Sequence, residues 1–271
     1  MEKESEKMIR NFLVTGDTHG EFTRFKNYDK EIQKDPETAV IILGDAGLNW
    51  TLDEHDAQLK NFLNKRYKFR IYCVRGNHEA RPANVPGMKL VYDDDIHGTV
   101  WVQEKWPNIR YFKDVGIYHI GPYSVGVIGG AYSVDKWYRL ENGAIWFEDE
   151  QLTQEERDHA LNNVFNGIML NFMFTHTCPI SWEPTDLFLG YVDQSRVDKT
   201  MENFLEEVKE KNFANVWLFG HYHSDRLERP GVQQFFQTTE KLDDIWNRWA
   251  RYRRKGELDW WLPKAPMFYA D

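Results

Sequence analysis

The sequence predicts an α/β protein whose strands divide between two packed, mixed sheets, with helices on the outer faces. Five short runs rich in β-branched and aromatic residues each end in Gly, Asp, Asn or His, and helix-like segments separate the first three. This alternation is typical of parallel strands joined by helices. Residues 116–133 break the alternation, because two strand-like runs flank Gly121-Pro122 and predict an antiparallel hairpin.

Each of the five runs leads into a polar loop, as expected of strands that carry a functional site at their ends. In chain order the runs are NFLVTGDTHG (11–20), AVIILGDAG (39–47), FRIYCVRGNHE (69–79), IMLNFMFTHTCP (168–179) and NVWLFGHYHSD (215–225). A last strand is predicted in the 231–238 region, directly after the turn-forming pair Pro230-Gly231.

Helical patterns lie between these strands. The predicted helices cover residues 21–34, 53–65, 151–165 and 194–211. Thr51 with Glu54 predicts a capping box for the second helix, and Thr153 with Glu156 predicts one for the third.

We expect a single domain spanning residues 1–271, because no linker-like stretch, internal repeat or low-complexity tract interrupts the chain. The segments 80–113 and 178–194 resist assignment, and long irregular segments beside strand ends are typical of active-site loops. The stretch 238–271 is rich in aromatic residues and is expected to form a packed C-terminal cover.

Composition narrows the class of protein. The hydrophobic content is 41%, and no apolar stretch reaches the ~18 residues that a bilayer-spanning helix needs. The N-terminal sequence lacks the features of a secretory signal, and two cysteines are too few for a disulfide framework, so we expect a cytoplasmic protein without a membrane partner. The net charge of -9 does not indicate a nucleic-acid partner, although a local basic patch would be compatible with one. The oligomeric state is left open.

Every predicted strand end carries a side chain able to bind a metal ion. These residues are Asp17, His19, Asp45, Asn77, His78, His176, His221 and His223. Because the carboxyl ends of parallel strands converge, we expect these side chains to share one site. Residues i and i+2 of an extended segment point the same way, so each D-x-H or H-x-H pair is expected to face that site together.

The donor set indicates the kind of metal centre. Mixed nitrogen and oxygen ligands without thiolate suit Mn, Fe, Zn or Co better than Ca or a structural zinc. Without His78 the set contains seven side chains, which are too many for one ion once water is included, whereas two ions that share a carboxylate accommodate them. Two metals about 3.5–4 Å apart are a common device for displacement at phosphorus.

The motif series D-x-H, G-D, G-N-H-[ED], H and G-H-x-H, spread from residue 17 to residue 223, resembles the calcineurin-like metallophosphoesterases. The resemblance implies a four-layer α-β-β-α sandwich that holds two transition-metal ions, most readily Mn, Fe or Zn. It implies a hydroxide that bridges the metals and attacks the phosphate ester. It implies one metal held by Asp17, His19, Asp45 and His223, and a second held by Asp45, Asn77, His176 and His221. His78 is implied as the general acid.

The second motif departs from the protein serine/threonine phosphatases of this superfamily, which continue it as G-D-x-V-D-R-G. Residues 44–51 read GDAGLNWT, so the aspartate and the phosphate-binding arginine of that motif are missing. Candidates for contact with the phosphate are Arg75, Arg81, Arg139 and Asn49.

The sequence therefore predicts a dinuclear phosphoesterase, either a phosphatase or a phosphodiesterase, that acts on a phosphate-ester substrate. A metal-dependent nuclease or nucleotide phosphodiesterase is the alternative. In a nuclease, residues 80–113 and the aromatic C-terminal region should frame a basic groove. A non-catalytic scaffold is the third hypothesis, although such a protein would be expected to have lost ligands and none is missing here.

Overall fold

The computed structural model of the protein describes residues 8–257, which form thirteen strands and seven α-helices. The strands are β1 (Asn11–Thr15), β2 (Thr38–Ile42), β3 (Arg70–Cys73), β4 (Met88–Asp93), β5 (Gly98–Gln103), β6 (Ile109–Phe112), β7 (Val115–Ile120), β8 (Tyr123–Ile128), β9 (Met169–Thr175), β10 (Phe213–Phe219), β11 (Arg226–Arg229), β12 (Val232–Gln234) and β13 (Thr239–Lys241). The helices are α1 (Thr23–Lys26), α2 (Lys30–Lys34), α3 (Glu54–Arg66), α4 (Lys136–Glu141), α5 (Gln154–His159), α6 (Thr200–Lys211) and α7 (Leu242–Arg254).

The strands form two mixed sheets, as predicted. One has seven strands in the order β13-β1-β2-β3-β6-β5-β4, and the other has six in the order β11-β12-β10-β9-β8-β7. Strands β1, β2, β3 and β6 run parallel in the first sheet, and β8, β9, β10 and β12 run parallel in the second. The predicted hairpin is confirmed, because β7 pairs antiparallel with β8.

The two sheets pack face to face and helices cover their outer faces, so the four-layer α-β-β-α sandwich is confirmed. Alternate residues of each central strand point to opposite layers. In β2, Ile41 lies in the core between the sheets, whereas Ile42 packs with Leu63 of α3 on the outside. In β9, Phe174 lies between the sheets, and Met173 packs with Leu205 of α6. These strands are therefore apolar on both faces, which is why they read as continuous hydrophobic runs.

Helix α7 closes one end of the core between the sheets. Its buried residues Leu242, Ile245 and Trp249 belong to that core, and Trp246 packs against it. This helix lies within the expected C-terminal cover, residues 238–271, of which residues 258–271 lie outside the described part of the chain. Among the described residues, no helix combines the length and the apolar character needed to cross a membrane.

The helix boundaries confirm one predicted capping box and correct the other. Thr153 accepts a hydrogen bond from the Glu156 backbone N–H, and the Glu156 side chain accepts one from the Thr153 backbone N–H. The Thr51 prediction was wrong, because Asp53 caps α3 by accepting a hydrogen bond from the His55 N–H. An Asp directly before the first turn supplies a carboxylate where the helix dipole favours negative charge.

The expectation that residues 80–113 form an irregular loop was wrong, because this segment contains β4, β5 and β6. Strand β4 lies at the edge of the seven-stranded sheet and exposes Leu90, Val91 and Tyr92, so it lacks the alternating burial that identifies a strand in sequence. The segment 178–194 contains two single 3₁₀ turns, Ile180–Trp182 and Thr185–Leu187.

The buried Glu202 of α6 leads to a testable prediction about stability. Burial raises the pKa of Glu202 from 4.5 to about 7, although the Thr177 hydroxyl donates a hydrogen bond to its Oε1. The folded state therefore binds this proton more tightly than the unfolded state, and the stability contributed by protonated Glu202 is lost as the pH rises from about 4.5 to about 7.

Glu202→Gln keeps an acceptor for Thr177 and removes the charge. We expect its effect on the free energy of unfolding to be more stabilising at pH 8 than at pH 5, by up to about 3 kcal/mol. Urea unfolding at the two pH values measures the difference, with exposed Glu210→Gln in the same helix as the control. Equal effects of Glu202→Gln at both pH values would contradict the prediction.

Candidate metal centre

The side chains predicted to share a site lie together at the carboxyl ends of five parallel strands. Asp17 follows β1, Asp45 follows β2, and Asn77 follows β3 in the seven-stranded sheet. His176 follows β9, and His221 with His223 follows β10 in the facing sheet. The site therefore spans the edge where the two sheets meet.

The first cluster contains Asp17, His19 and His223, whose donor atoms converge closely enough to hold a metal ion. The Nε2 atoms of the two histidines are 2.9 Å apart. Asp17 Oδ2 lies 3.3 Å from His223 Nε2 and 3.8 Å from His19 Nε2. Burial would raise the pKa of Asp17, but the hydrogen bond with His223 and the charge of His176 hold it below its ordinary value.

The second cluster lies around His176, which is fully buried. Its Nδ1 is 2.9 Å from the Leu43 carbonyl oxygen, so the carbonyl accepts the Nδ1 proton. Its Nε2 then faces two oxygen atoms, Asn77 Oδ1 at 2.9 Å and Asp45 Oδ2 at 3.4 Å. The His221 ring stands edge-on to that of His176, with 4.9 Å between the ring centroids.

Asp45 lies between the clusters. Its Oδ2 is 3.9 Å from His19 Nε2 on one side and 3.4 Å from His176 Nε2 on the other. Its Oδ1 accepts a hydrogen bond of 2.8 Å from the backbone N–H of His78, which fixes the carboxylate in place. Burial would raise the pKa of Asp45, but His176 and His78 hold it well below its ordinary value.

These donors fit metal ions. Neutral His176, protonated at Nδ1, directs a lone pair from Nε2 at two oxygen acceptors, and such an arrangement is repulsive unless a cation or a proton lies between them. Burial alone would lower the pKa of His176, but Asp45 raises it to about 9, so the residues around this nitrogen favour positive charge. Imidazole and carboxylate donors without thiolate suit transition metals.

The backbone at the site is in an unusual conformation. His19, Asp45, His221 and His223 have φ angles of +45°, +47°, +70° and +51°. Left-handed φ in non-glycine residues is uncommon and is concentrated at functional sites. It also corrects the expectation that the D-x-H and H-x-H pairs lie on extended segments, because turns beyond the strand ends direct these side chains.

Two glycines allow the ligand loops to pack closely. A Cβ atom at Gly76 would lie 1.9 Å from Asp45 Oδ1, and one at Gly44 would lie 1.9 Å from His176 Nδ1. Both distances are far below van der Waals contact. The motif glycines at these positions are therefore required by the approach of the candidate ligands themselves.

Gly76→Ala should displace Asp45 and lower both metal content and thermal stability. We expect a loss of about 2 kcal/mol or more in the free energy of unfolding, because an added methyl group in a well-packed site forces the backbone to shift. Gly190→Ala is the matched control, since its Cβ would meet no atom within 4 Å. Metal analysis and thermal unfolding of both variants measure the effect, and retention of full metal content by Gly76→Ala would contradict the prediction.

His78 lies at the mouth of the site beside Arg139. Arg139 Nη2 is 3.2 Å from His78 Nδ1, and Asp135 Oδ1 is 3.9 Å from His78 Nε2. The Trp50 ring stands edge-on to His78, and the Arg139 guanidinium lies 4.9 Å from the Trp50 ring centroid. Burial and the charge of Arg139 lower the pKa of His78, although Asp45 opposes this shift.

Three of the four candidates for contact with the phosphate lie elsewhere. Arg75 is fully buried, donates to Asp114 Oδ1 at 2.8 Å and to the Glu150 carbonyl oxygen at 2.8 Å, and so braces the fold. Arg81 makes ion pairs with acidic side chains that include Asp114, at 3.1 Å.

Asn49 is also fully buried, and its Oδ1 accepts a hydrogen bond of 2.7 Å from Lys60. Arg75, Arg81 and Asn49 are thus corrections to the sequence prediction. Arg139 is the candidate arginine that the structure places beside His78.

Some residues that support the site were missed in the sequence. Glu79, the last residue of G-N-H-E, is fully buried, and its Oε1 accepts hydrogen bonds from the backbone N–H groups of Gly47 and Leu48 and from Tyr111. It thereby ties the third motif to the second. Ser133 accepts a hydrogen bond of 2.9 Å from Asn77 Nδ2, which leaves Asn77 Oδ1 directed at His176. The motif position of Glu79 was a usable signal, whereas nothing local marks Ser133.

Two mixed sheets with Asp and His clusters at the ends of their parallel strands define an α/β protein with a candidate metal-binding site. The family model described as calcineurin-like phosphoesterase matches residues 10–225, and the chain belongs to this family. The protein is therefore a metal-dependent phosphoester hydrolase by family.

Two solved structures are among those that match this chain. The phosphopantetheinyl hydrolase of Mycobacterium tuberculosis is 12% identical, with a TM-score of 0.40, and the match covers 96% of this chain and 98% of that one. The sulfate thiohydrolase SoxB of Thermus thermophilus, in complex with glycerol, is 12% identical with a TM-score of 0.34, and the match covers 94% of this chain and 62% of that one. Comparison with curated proteins gave no match.

Proposed function

We propose that the protein hydrolyses phosphate esters at a centre of two metal ions that share Asp45. The observation that carries this proposal is the position of the Asp45 carboxylate, with one oxygen directed at both His19 and His176. A carboxylate between two groups of ligands is the arrangement that a two-metal site requires.

The proposed ligands fall into two sets that follow the two clusters. Asp17, His19, Asp45 and His223 would hold one ion, and Asp45, Asn77, His176 and His221 would hold the other. Manganese, iron and zinc match these donors. Bound at this site, the two ions would neutralise charge on the phosphate oxygens and make water nucleophilic near neutral pH.

His78 is proposed to protonate the leaving oxygen. Its backbone N–H is fixed on Asp45, and its ring faces a cavity at the site, so the ring can reach an ester oxygen while the phosphate occupies the centre. Arg139 holds this ring in position, and its guanidinium adds positive charge where negative charge develops on the phosphate.

Metal analysis combined with turnover tests this function. The purified protein should contain about two metal ions per chain and should hydrolyse a chromogenic aryl phosphate. A chelator should abolish the activity, and added manganese or zinc should restore it. Full metal loading without hydrolysis of a monoester or a diester would contradict the proposal. Single-stranded DNA in the same assay tests the nuclease alternative.

A further inference from the structure

A cavity of about 330 Å³ opens onto the candidate metal centre. Asp45, His78 and His221 line one end of it, and residues 183–199 form much of the opposite wall. A phosphate at the centre would therefore direct the rest of its ester into this cavity. Its volume is at the low end of the range of small-molecule sites.

Two aromatic rings in the cavity wall are nearly parallel. Phe188 and Tyr222 have an interplanar angle of 22° and a centroid separation of 6.5 Å. The centroid separation is an upper limit on the spacing of the ring planes and is below twice the ~3.5 Å contact distance of carbon atoms, so a flat ring would fit between them only after the two rings move apart. The Tyr222 hydroxyl is 3.1 Å from Thr177 Oγ1, and this hydrogen bond holds the ring in place.

The cavity also contains a carboxylate with spare hydrogen-bonding capacity. The Thr177 hydroxyl donates to Glu202 Oε1, but Glu202 Oε2 is buried and has no hydrogen-bond partner among residues 8–257. The charge of the nearby Lys199 acts on Glu202, but the ion pair of Lys199 is made with Glu183, whose Oε1 lies 2.6 Å from Lys199 Nζ. A buried carboxyl oxygen without a partner is costly. A donor on a ligand would remove that cost for the ionised form of Glu202, once a small movement of the cavity wall exposes Oε2.

We infer that this cavity receives the leaving group of the substrate and that this group contains a planar aromatic ring with an N–H or O–H donor. The ring would stack between Phe188 and Tyr222, and its donor would reach Glu202. The inference rests on the proposed phosphoesterase function and deepens it by naming the substrate class. Nucleobases and substituted phenols share this chemistry.

Paired substrates that differ in the ring test the inference. Adenosine 5′-monophosphate and guanosine 5′-monophosphate should be hydrolysed with a kcat/KM about tenfold or more above that of ribose 5-phosphate, because stacking on aromatic side chains favours the ring. The comparison of 4-aminophenyl phosphate with phenyl phosphate tests phenols as the leaving group. These two esters differ only in the amino group, so the ratio of their kcat/KM values measures the effect of the donor.

Variants show whether the preference comes from this cavity. Phe188→Ala should lower the ratio of kcat/KM between adenosine 5′-monophosphate and ribose 5-phosphate about tenfold. Tyr92→Ala removes an exposed aromatic side chain of β4 and is the matched control, with no change in this ratio. Glu202→Gln should lower the ratio between 4-aminophenyl phosphate and phenyl phosphate, since an amide N–H₂ would face the ligand donor.

The outcomes separate this inference from the proposed function. Equal kcat/KM for substrates with and without the ring would overturn the inference and leave the phosphoesterase intact. If no phosphate ester is hydrolysed, the proposed function fails. Calorimetric titration with adenosine and with 4-aminophenol then shows whether the cavity binds a planar ring that carries a donor. The inference would be supported if either compound binds and Phe188→Ala weakens that binding. It would be overturned if neither compound binds.

Discussion

Asp45→Asn should empty both metal sites together and abolish hydrolysis. The asparagine keeps the size of the side chain and can still accept the hydrogen bond from the His78 N–H. It removes the negative charge that faces both His19 and His176. We expect metal content to fall from about two ions per chain to below one, and kcat/KM to fall by about 10³-fold or more, since loss of a single transition-state hydrogen bond already costs about 10²–10³-fold.

Elemental analysis after dialysis and turnover of an aryl phosphate measure these effects. Asp94→Asn, which neutralises an exposed aspartate outside the site, is the control and should retain both metals and full activity. If Asp45→Asn lost one metal and kept the other at full occupancy, Asp45 would be a ligand of a single ion, and the shared-carboxylate arrangement would be wrong.

The central part of the fold could be predicted from sequence because its strands are buried on both faces. Strands β2 and β10 read as largely apolar runs followed by Gly-Asp and Gly-His, and the structure places both ends at the edge where the sheets meet. Parallel strands of two facing sheets deliver their end residues to one edge, so finding the strands also located the site.

The features that the sequence did not predict depend on contacts between residues far apart in the chain, on exposure at a sheet edge or on backbone conformation. The residue type of Arg75 favours phosphate contact, but inside the fold its guanidinium donates to Asp114, 39 residues away in sequence. Strand β4 escaped prediction because an edge strand exposed on both faces shows no period. The left-handed backbone at His221 and His223 leaves no signal in residue types, because histidine is compatible with both extended and left-handed conformations.

His78→Asn should separate catalysis from metal binding. A ring nitrogen of His78 lies close enough to donor atoms of His19 and Asp45 to serve as a ligand itself, so geometry allows two roles for this residue. As a general acid, its loss should leave metal content at the wild-type level and lower kcat by about 10²–10⁴-fold. As a ligand, its loss should lower metal content in parallel with activity. The substitution preserves the backbone N–H that holds Asp45.

The dependence of the rate on the leaving group is a second measurement, and a purely structural role of His78 would not change it. 4-Nitrophenolate departs without needing a proton, whereas an alkoxide needs one, so His78→Asn should impair an alkyl phosphate far more than 4-nitrophenyl phosphate. His159→Asn, an exposed histidine on α5, should change neither rate. Metal loss equal to that of Asp45→Asn, with the same fall in rate for both esters, would exclude His78 as the acid and make it a ligand. The proton for the departing alcohol would then have to come from another group at the cavity mouth.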